Sequence, residues 1–242
     1  METGRGVVWW DFDGTLVSRP MMWAEVALTL LERHAPGHGV SFETMADLVS
    51  AGMPWHRPDC AHPELATPAA WWDAVNRRYA EIFTAIGHPS AATAPALDAL
   101  RDDILDSSRY VVFGDAIPAL ERAQAAGRRN VIVSNHIPEL ADLVQGLDLT
   151  RHFAAIVSSG VVGYEKPHRQ LFEAALPHVR PGETVWMIGD NPDADCRPVC
   201  AMGMKAVLVR GTRSGQFDCE AAGLLEALDL IDARGGYGGN GF

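Results

Sequence analysis

The chain has 242 residues, 48% of them apolar, which is enough to bury the core of one large domain or of a domain that carries an insertion. Its formal net charge of −11 argues against nucleic acids and anionic membrane surfaces as partners. No apolar run approaches the length of a membrane span, and no secretion-type leader opens the chain, so we expect a cytoplasmic protein.

The strands of the core are predicted from five short apolar runs without polar alternation, a pattern typical of strands buried on both faces. These runs cover residues 7–12, 130–134, 155–158, 185–189 and 206–210. Helical stretches accompany the last four runs, at residues 117–126, 138–145, 169–176 and 197–201. Because strand and helix alternate, we expect an α/β fold with a doubly wound, Rossmann-like parallel sheet.

The long segment between the first two predicted strands contains no convincing strand and has helical periodicity. Helices are predicted over residues 23–33, 42–49, 68–86 and 97–105, the third with Thr67 as its N-cap. We therefore expect a helical domain of residues 18–109 inserted into a core of residues 1–17 and 110–233. The glycine-rich tail, residues 234–242, is expected to be disordered.

Polar residues cluster where the predicted strands end: Asp11 and Asp13, Ser134 and Asn135, and Asp190, Asp193 and Asp195, with Lys166 between the third and fourth strands. Ligands of open α/β sheets bind beyond the carboxyl ends of the strands, so these side chains should converge on one site. Clustered carboxylates repel each other unless a cation accompanies them. Oxygen ligands without clustered histidine or cysteine indicate Mg²⁺.

The charges of such a site nearly balance when a phosphate group is present. The carboxylates of Asp11, Asp13 and Asp190 bring three negative charges and the phosphoryl group two, whereas Mg²⁺ and Lys166 bring three positive charges. Backbone amides at Asp13, Gly14 and Thr15 can bind the phosphate and stabilise the remaining negative charge. Asp11 and Asp13 are two apart in a predicted strand, so their side chains should start on one face. There, one can attack phosphorus while the other transfers protons. Gly14 allows a tight turn close to the phosphate.

Four segments, DFDGT, VIVSN, GYEKP and IGDNPDAD, together resemble, in order and separation, the four motifs of the haloacid dehalogenase-like hydrolase superfamily. The helical insertion after the first strand is similar to the C1-type cap of that superfamily. The resemblance spans nearly the whole chain. It is specific because four motifs match together, whereas any one of them alone would be a weak signal.

The resemblance implies a role for each matching residue. Asp11 corresponds to the nucleophile that forms a phosphoaspartyl intermediate, and Asp13 to the general acid that protonates the leaving oxygen and then activates water. Ser134 corresponds to a donor to a phosphate oxygen, with Asn135 beside it as a further phosphate-binding residue. Lys166 corresponds to the lysine that neutralises the nucleophile and the phosphate.

The resemblance also implies a Mg²⁺ site. Asp190 corresponds to a metal ligand, joined by Asp11 and the main-chain carbonyl of Asp13. Asp195 matches the second acidic residue of the last motif and is expected to support the metal. Asp193 falls outside the pattern and is expected to be a solvated loop residue.

Candidate selectors of the substrate lie just after the first motif and in the segment GMPWHRP: Arg19, Trp23, Trp55, His56 and Arg57. An arginine there could pair with a second anionic group of the substrate, and Trp55 could stack on a ring or sugar face. Trp71 and Trp72 are expected to pack inside the helical domain. His136, next to the Ser–Asn pair, is either a site residue or an exposed residue at a helix start.

The function favoured by these features is a Mg²⁺-dependent phosphomonoester hydrolase that acts on a small phosphorylated metabolite. A sugar-phosphate mutase could use the same core. A haloacid dehalogenase would use the nucleophile without metal or the second aspartate, and Asp13 argues against it. A phosphonate-cleaving relative would need a lysine in the cap, and residues 18–109 contain none. A non-catalytic binding protein is the remaining alternative, and the sequence predicts no oligomeric state.

Overall fold

The structure, a computed structural model, describes residues 6–92, 94–211, 217 and 219–235. Its strands are β1 (Gly6–Trp10), β2 (Val17–Ser18), β3 (Val111–Val112), β4 (Arg129–Ser134), β5 (Ala155–Ser158), β6 (Thr184–Gly189), β7 (Lys205–Val209) and β8 (Glu220–Ala221). Its α-helices are α1 (Met22–His34), α2 (Phe42–Val49), α3 (Pro68–Ala85), α4 (Ala94–Leu105), α5 (Ala116–Ala125), α6 (Leu140–Gly146), α7 (Ser159–Val162), α8 (Arg169–Ala175), α9 (Arg197–Ala201) and α10 (Leu224–Gly235).

A six-stranded sheet forms the core, in the order β5-β4-β1-β6-β7-β8, and every neighbouring pair in it is parallel. The central strand β1 pairs Trp10 with Ile132 on one side and Ile188 on the other. The carboxyl ends of β1, β4 and β6 therefore meet at the same edge. This arrangement confirms the α/β, doubly wound, Rossmann-like fold.

The two faces of the sheet are covered by different helices, which is why β1 is apolar throughout. Trp9 stacks on Phe172 of α8, with ring centroids 6.3 Å apart. Trp10 points to the opposite face, where its indole N–H donates to Oδ1 of Asn130 at 3.0 Å. Successive residues of a strand face opposite sides, and a strand buried on both sides carries no polar alternation.

The segment between β2 and β3 contains α1 to α4, in agreement with the predicted helical insertion. Val17 pairs with Val112 in a short antiparallel ladder, so the chain leaves and re-enters the core at adjacent points. Thr67 caps α3 as predicted: its hydroxyl accepts a hydrogen bond from the amide of Ala70 at 3.3 Å, and Pro68 is the first helical residue. No helix within the described ranges is long and apolar enough to cross a membrane.

Apart from shifts of a few residues at the ends of elements, the structure differs from the prediction in three respects. β1 ends at Trp10 rather than at residue 12, so the two aspartates lie in the turn that follows it and not on a strand. The edge strand β8 and the β2–β3 pair were not predicted, because two-residue strands carry no periodicity. Residues 234 and 235 belong to α10, and the rest of the predicted disordered tail, 236–242, lies outside the described residues.

Candidate active site

A compact turn after β1 presents the two aspartates at the edge of the sheet. The carbonyl of Phe12 accepts hydrogen bonds from the amides of Leu16 and Val17, at 2.9 and 3.1 Å. The amide of Gly14 donates to the carbonyl of Val17 at 2.8 Å. Gly14 has a φ of +77°, a backbone conformation that side chains with a Cβ rarely adopt. The orientation of Asp13 is therefore set by this turn and not by strand alternation.

The carboxylate of Asp11 is held by two donors from other segments. Its Oδ1 accepts from the hydroxyl of Ser134, at the end of β4, and from Nζ of Lys166, each at 2.7 Å. Asp11 is 7% exposed and Ser134 and Lys166 are less so. The structure thus brings together three of the residues that the sequence analysis placed in one site.

Lys166 lies between two carboxylates, because its Nζ also donates to Oδ1 of Asp195 at 2.6 Å. Burial lowers the pKa of the Lys166 ammonium, but the charges of Asp11 and Asp195 outweigh burial and raise the pKa above its usual value. The lysine is therefore a permanent positive charge. The second oxygen of Asp195 accepts from the amide of Asn191 at 3.0 Å, which fixes this carboxylate.

The side chain of Asn135 is bound to the backbone of Lys166. Its side-chain oxygen accepts from the amide of Lys166 at 2.5 Å, and its side-chain nitrogen donates to the carbonyl of the same residue at 3.1 Å. Both polar atoms of the side chain are therefore engaged in positioning Lys166. The side chain of Asn135 is therefore engaged by the lysine backbone, and binding of phosphate by Asn135 beside Ser134 stays a prediction.

Three carboxylates form a group that could hold a metal ion. Ligand oxygens of Asp11, Asp190 and Asp195 all lie within 4.8 Å of one another. Oδ1 of Asp190 accepts from the hydroxyl of Thr15 at 3.3 Å, and burial and the charge of Asp11 raise the pKa of Asp190. Mutually repelling carboxylate oxygens, with no nitrogen or sulfur ligand among them, fit Mg²⁺ rather than zinc.

The carboxylate of Asp13 lies apart from this group, beside His136. Its Oδ2 lies 3.3 Å from Nε2 of His136, and its Oδ1 has no hydrogen-bond partner within the part of the chain that the structure describes. Although 37% of the Asp13 side chain is exposed, its Oδ1 is buried, and burial, followed by the charges of Asp11 and Asp190, raises the pKa of Asp13 to about 7. Burial lowers the pKa of His136 to about 4, so its ring is neutral, and it is a buried site residue rather than an exposed one.

A cavity of about 150 Å³ opens beside Asp13. Its lining comes from both the helical insertion and the core: Asp13, Met22, Trp23, Trp55, Trp71, Asn135, His136, Ile137 and Glu165. The tryptophans form a continuous aromatic wall, with the ring of Trp55 centred 4.5 Å from that of Trp23 and 5.6 Å from that of Trp71. Trp23 and Trp55 thus line the cavity beside Asp13, and their role as substrate selectors stays a prediction.

The other three candidate selectors do not line this cavity. The guanidinium of Arg19 donates to the carboxylate of Asp103 at 2.5 Å, so this arginine is already paired. Arg57 lines a separate cavity on the helical insertion. Nδ1 of His56 accepts from the amide of Met53 at 3.2 Å. Neither Arg19 nor Arg57 lines the cavity beside Asp13, and the pairing of one of them with the substrate stays a prediction.

Sequence reasoning missed four lining residues, namely Met22, Trp71, Ile137 and Glu165. Trp71 is buried, as its place on the apolar stripe of α3 predicts, and it also lines the cavity. Trp72 is buried as well but does not line the cavity, and its indole N–H donates to Oε1 of Glu139 at 2.8 Å. Glu165 precedes Lys166 in the GYEKP motif, and that neighbour was the one available signal.

The sequence of the chain is similar to a known protein family and to individual proteins. Residues 6–198 match the family model described as haloacid dehalogenase-like hydrolase. The chain is 32% identical over 173 residues to a phosphoserine phosphatase of Thermus thermophilus, an alignment that covers 69% of this chain and 67% of that protein.

Two solved structures have the same fold. The magnesium-bound HAD-hydrolase YfnB from Bacillus subtilis superimposes with a TM-score of 0.72 at 16% identity, covering 95% of this chain and 100% of that one. The L-2-haloacid dehalogenase from Xanthobacter autotrophicus has a TM-score of 0.66 at 19% identity, with 95% and 99% coverage. Because the family model matches residues 6–198 and the phosphoserine phosphatase is 32% identical, the chain belongs to the haloacid dehalogenase-like hydrolase family.

Proposed function

We propose that the protein is a Mg²⁺-dependent phosphomonoester hydrolase that acts on a small phosphorylated metabolite through a phosphoaspartyl intermediate. One observation carries the proposal: Asp11 and Asp13 lie at the same edge in opposite environments. Asp11 accepts from the Lys166 ammonium, whereas the pKa of Asp13 is raised to about 7. A carboxylate next to an ammonium can act as nucleophile, and a carboxyl group with a pKa near 7 can both give and take a proton.

In the first half of the proposed reaction, a carboxylate oxygen of Asp11 attacks phosphorus. The bond between phosphorus and the alcohol oxygen breaks, and the proton of the Asp13 carboxyl group passes to that oxygen. The alcohol leaves, and a phosphoryl group remains on Asp11. The hydroxyl of Ser134 and the ammonium of Lys166, both already next to Asp11, would bind the phosphoryl oxygens.

In the second half, the Asp13 carboxylate takes a proton from water as the water oxygen attacks phosphorus. The bond between phosphorus and Asp11 breaks, which releases inorganic phosphate and restores both aspartates. Asp13 thus returns to its protonated form, and no other reactant is needed.

The metal would be held by the carboxylates of Asp11, Asp190 and Asp195 and by the main-chain carbonyl of Asp13. When bound, Mg²⁺ supplies positive charge that offsets the repulsion between the phosphoryl group and the carboxylates. Thr15 would keep Asp190 in place through the hydrogen bond that it donates.

We further infer that residues 18–109 act as a cap over the core of residues 1–17 and 110–233. The pairing of Val17 with Val112 supports this division, because it closes the insertion at its base. The cavity lined from both parts supports a small leaving group enclosed between them. A cytoplasmic location stays a prediction.

The experiment that tests the function is a panel of phosphorylated metabolites and p-nitrophenyl phosphate, with phosphate release measured with Mg²⁺ and after its removal by a chelator. We expect Mg²⁺-dependent release of phosphate. Halide release from 2-haloacids without phosphatase activity would favour a dehalogenase, and isomerised sugar phosphate without free phosphate would favour a mutase. No turnover and no effect of Mg²⁺ would contradict the proposal.

A further inference from the structure

The cavity beside Asp13 has a distinct charge character. Its two ionisable acids are Asp13 and Glu165, and no lysine or arginine lines it among the described residues. Arg19 is engaged by Asp103, and Arg57 lines a different cavity. A leaving group with a carboxylate or a second phosphate would therefore enter a site that offers it no cationic partner.

Glu165 has no role in the proposed catalytic steps. It is completely buried in the cavity wall, and its Oε1 lies 3.1 Å from Nε2 of His62. Its Oε2 has no hydrogen-bond partner among the residues described. A buried carboxylate oxygen without a donor is unfavourable. Oε2 of Glu139 also lacks a donor among the residues described, but only Glu165 lines the cavity, from which a ligand could supply one. A charged N–H group is the strongest donor for it.

The tryptophans that line the cavity also favour a ligand with an ammonium group. Trp23, Trp55 and Trp71 line the cavity in one aromatic stack. Indole is the aromatic group that attracts cations most strongly, and it also accepts the methylene groups that carry an ammonium.

From the acidic lining, the unpaired oxygen of Glu165 and the tryptophan wall, we propose that the alcohol released from the substrate carries a protonated amine. The substrate class is then the phosphate monoester of a small amino alcohol. This inference rests on the proposed phosphatase function and specifies its leaving group. In it, the phosphoryl group lies at Asp11 and the ammonium donates to Oε2 of Glu165.

The test compares three esters that are similar in size and differ in charge: 2-aminoethyl phosphate, n-propyl phosphate and carboxymethyl phosphate. The amino and propyl esters have the same number of non-hydrogen atoms. With Mg²⁺, kcat/KM should be about ten- to a hundredfold higher for the amino ester than for the propyl ester, the range of one charged hydrogen bond. The carboxymethyl ester should be the poorest substrate. p-Nitrophenyl phosphate reports the phosphatase chemistry separately.

Glu165→Gln keeps the shape of the side chain and an oxygen that can accept from His62, but it removes the charge. The ratio of kcat/KM between the amino and propyl esters should fall towards one. The intrinsic reactivity of each ester is the same in both enzymes, so the change in ratio reports the contact itself. Glu139→Gln is the matched control: Glu139 is also a buried core carboxylate bonded to the helical insertion, through Trp72, and it does not line the cavity. Its ratio should equal that of the wild type.

The outcomes separate the two proposals. Hydrolysis of p-nitrophenyl phosphate with an amino-to-propyl ratio of one or less would overturn the amine inference and leave the phosphatase function intact. An unchanged ratio in a folded Glu165→Gln variant would overturn it as well. If no ester at all is hydrolysed, both proposals fail. If Glu165→Gln does not fold, the KM values of the wild type for the three esters test the amine inference instead. KM must then be lowest for the amino ester, and any other order would overturn the inference.

Discussion

Gly14 and Asp190 are in direct contact across the edge of the sheet. A Cβ atom placed on Gly14 would lie 2.4 Å from Oδ2 of Asp190 and 2.7 Å from its Cγ. The carboxylate thus occupies the space that every other residue type would fill. The glycine of DFDGT is needed for this close approach as well as for its φ of +77°.

Gly14→Ala should therefore displace the Asp190 carboxylate and lower kcat about a hundredfold, as expected for a catalytic group moved by about 1 Å. Steady-state kinetics over a range of Mg²⁺ concentrations measures this, and the Mg²⁺ requirement should also rise. Gly127→Ala is the matched control, because Gly127 has a φ of +75° with no atom near its Cβ position. Equal losses of activity in both variants would show that backbone strain alone is responsible.

Asp11→Asn should abolish turnover, since an amide cannot attack phosphorus, and should leave the fold intact. Beryllium fluoride, which mimics an acyl phosphate, should bind the wild type and stabilise it against heat but have no effect on the variant. Phosphate release and thermal unfolding with and without beryllium fluoride measure both effects. Wild-type activity in Asp11→Asn is incompatible with the proposed mechanism.

Asp13→Asn should lower the rate by about two to four orders of magnitude for poor leaving groups, the usual contribution of general acid catalysis. The loss should be smaller for p-nitrophenyl phosphate, whose leaving group needs less protonation. The pKa of Asp13 is about 7, so the protonated acid is lost as the pH rises through 7. In the wild type, kcat/KM for an alkyl phosphate should fall above that pH. Equal losses for good and poor leaving groups would assign Asp13 to the metal alone.

The same raised pKa predicts an effect on stability. Asp13 binds a proton more tightly in the folded protein, to a pKa of about 7, than in the unfolded chain. The ionised Asp13 therefore lowers the free energy of unfolding. This effect is absent below about pH 4, grows as the pH rises, and is complete above pH 7. In a chelator, Asp13→Asn should raise Tm at pH 8, and the gain should vanish near pH 4. Asp193→Asn, at an exposed position, is the control. A gain that does not depend on pH would contradict the assignment.

Lys166→Ala leaves the buried carboxylates of Asp11 and Asp195 without their cation, and should lower the free energy of unfolding by about 3–5 kcal/mol and abolish most activity. Lys166→Arg should not restore the rate, because a planar guanidinium cannot occupy the position of a point charge between two carboxylates. Inhibition by inorganic phosphate should weaken in both variants. Lys205→Ala is the control, since Lys205 lies over the ring of Trp186.

Near-wild-type rates in Lys166→Arg would show that any cation suffices at this position. The same result would remove the reason for a lysine in a chain that uses arginine at nearly every other basic position.

The core and the convergence of the candidate site residues were predictable from the sequence because both depend on local patterns. A strand buried on both faces must be apolar throughout, and parallel strands bring their carboxyl ends to one edge. The places of Asp11, Ser134, Lys166 and Asp190 follow from those two rules and the motif order. The short strands β2, β3 and β8 did not, since two residues carry no period.

The sequence by itself therefore determined the fold class and the edge of the sheet at which Asp11, Ser134 and Lys166 come together. Only the tertiary structure decided which side chains line the cavity beside Asp13. Arg19 pairs with Asp103, 84 residues away, and Asn135 is bound to the backbone of Lys166. Trp71 sits on an apolar helix face and yet lines the cavity with Glu165. Local periodicity predicts that a residue is buried, but the packing of distant segments determines which residues it contacts.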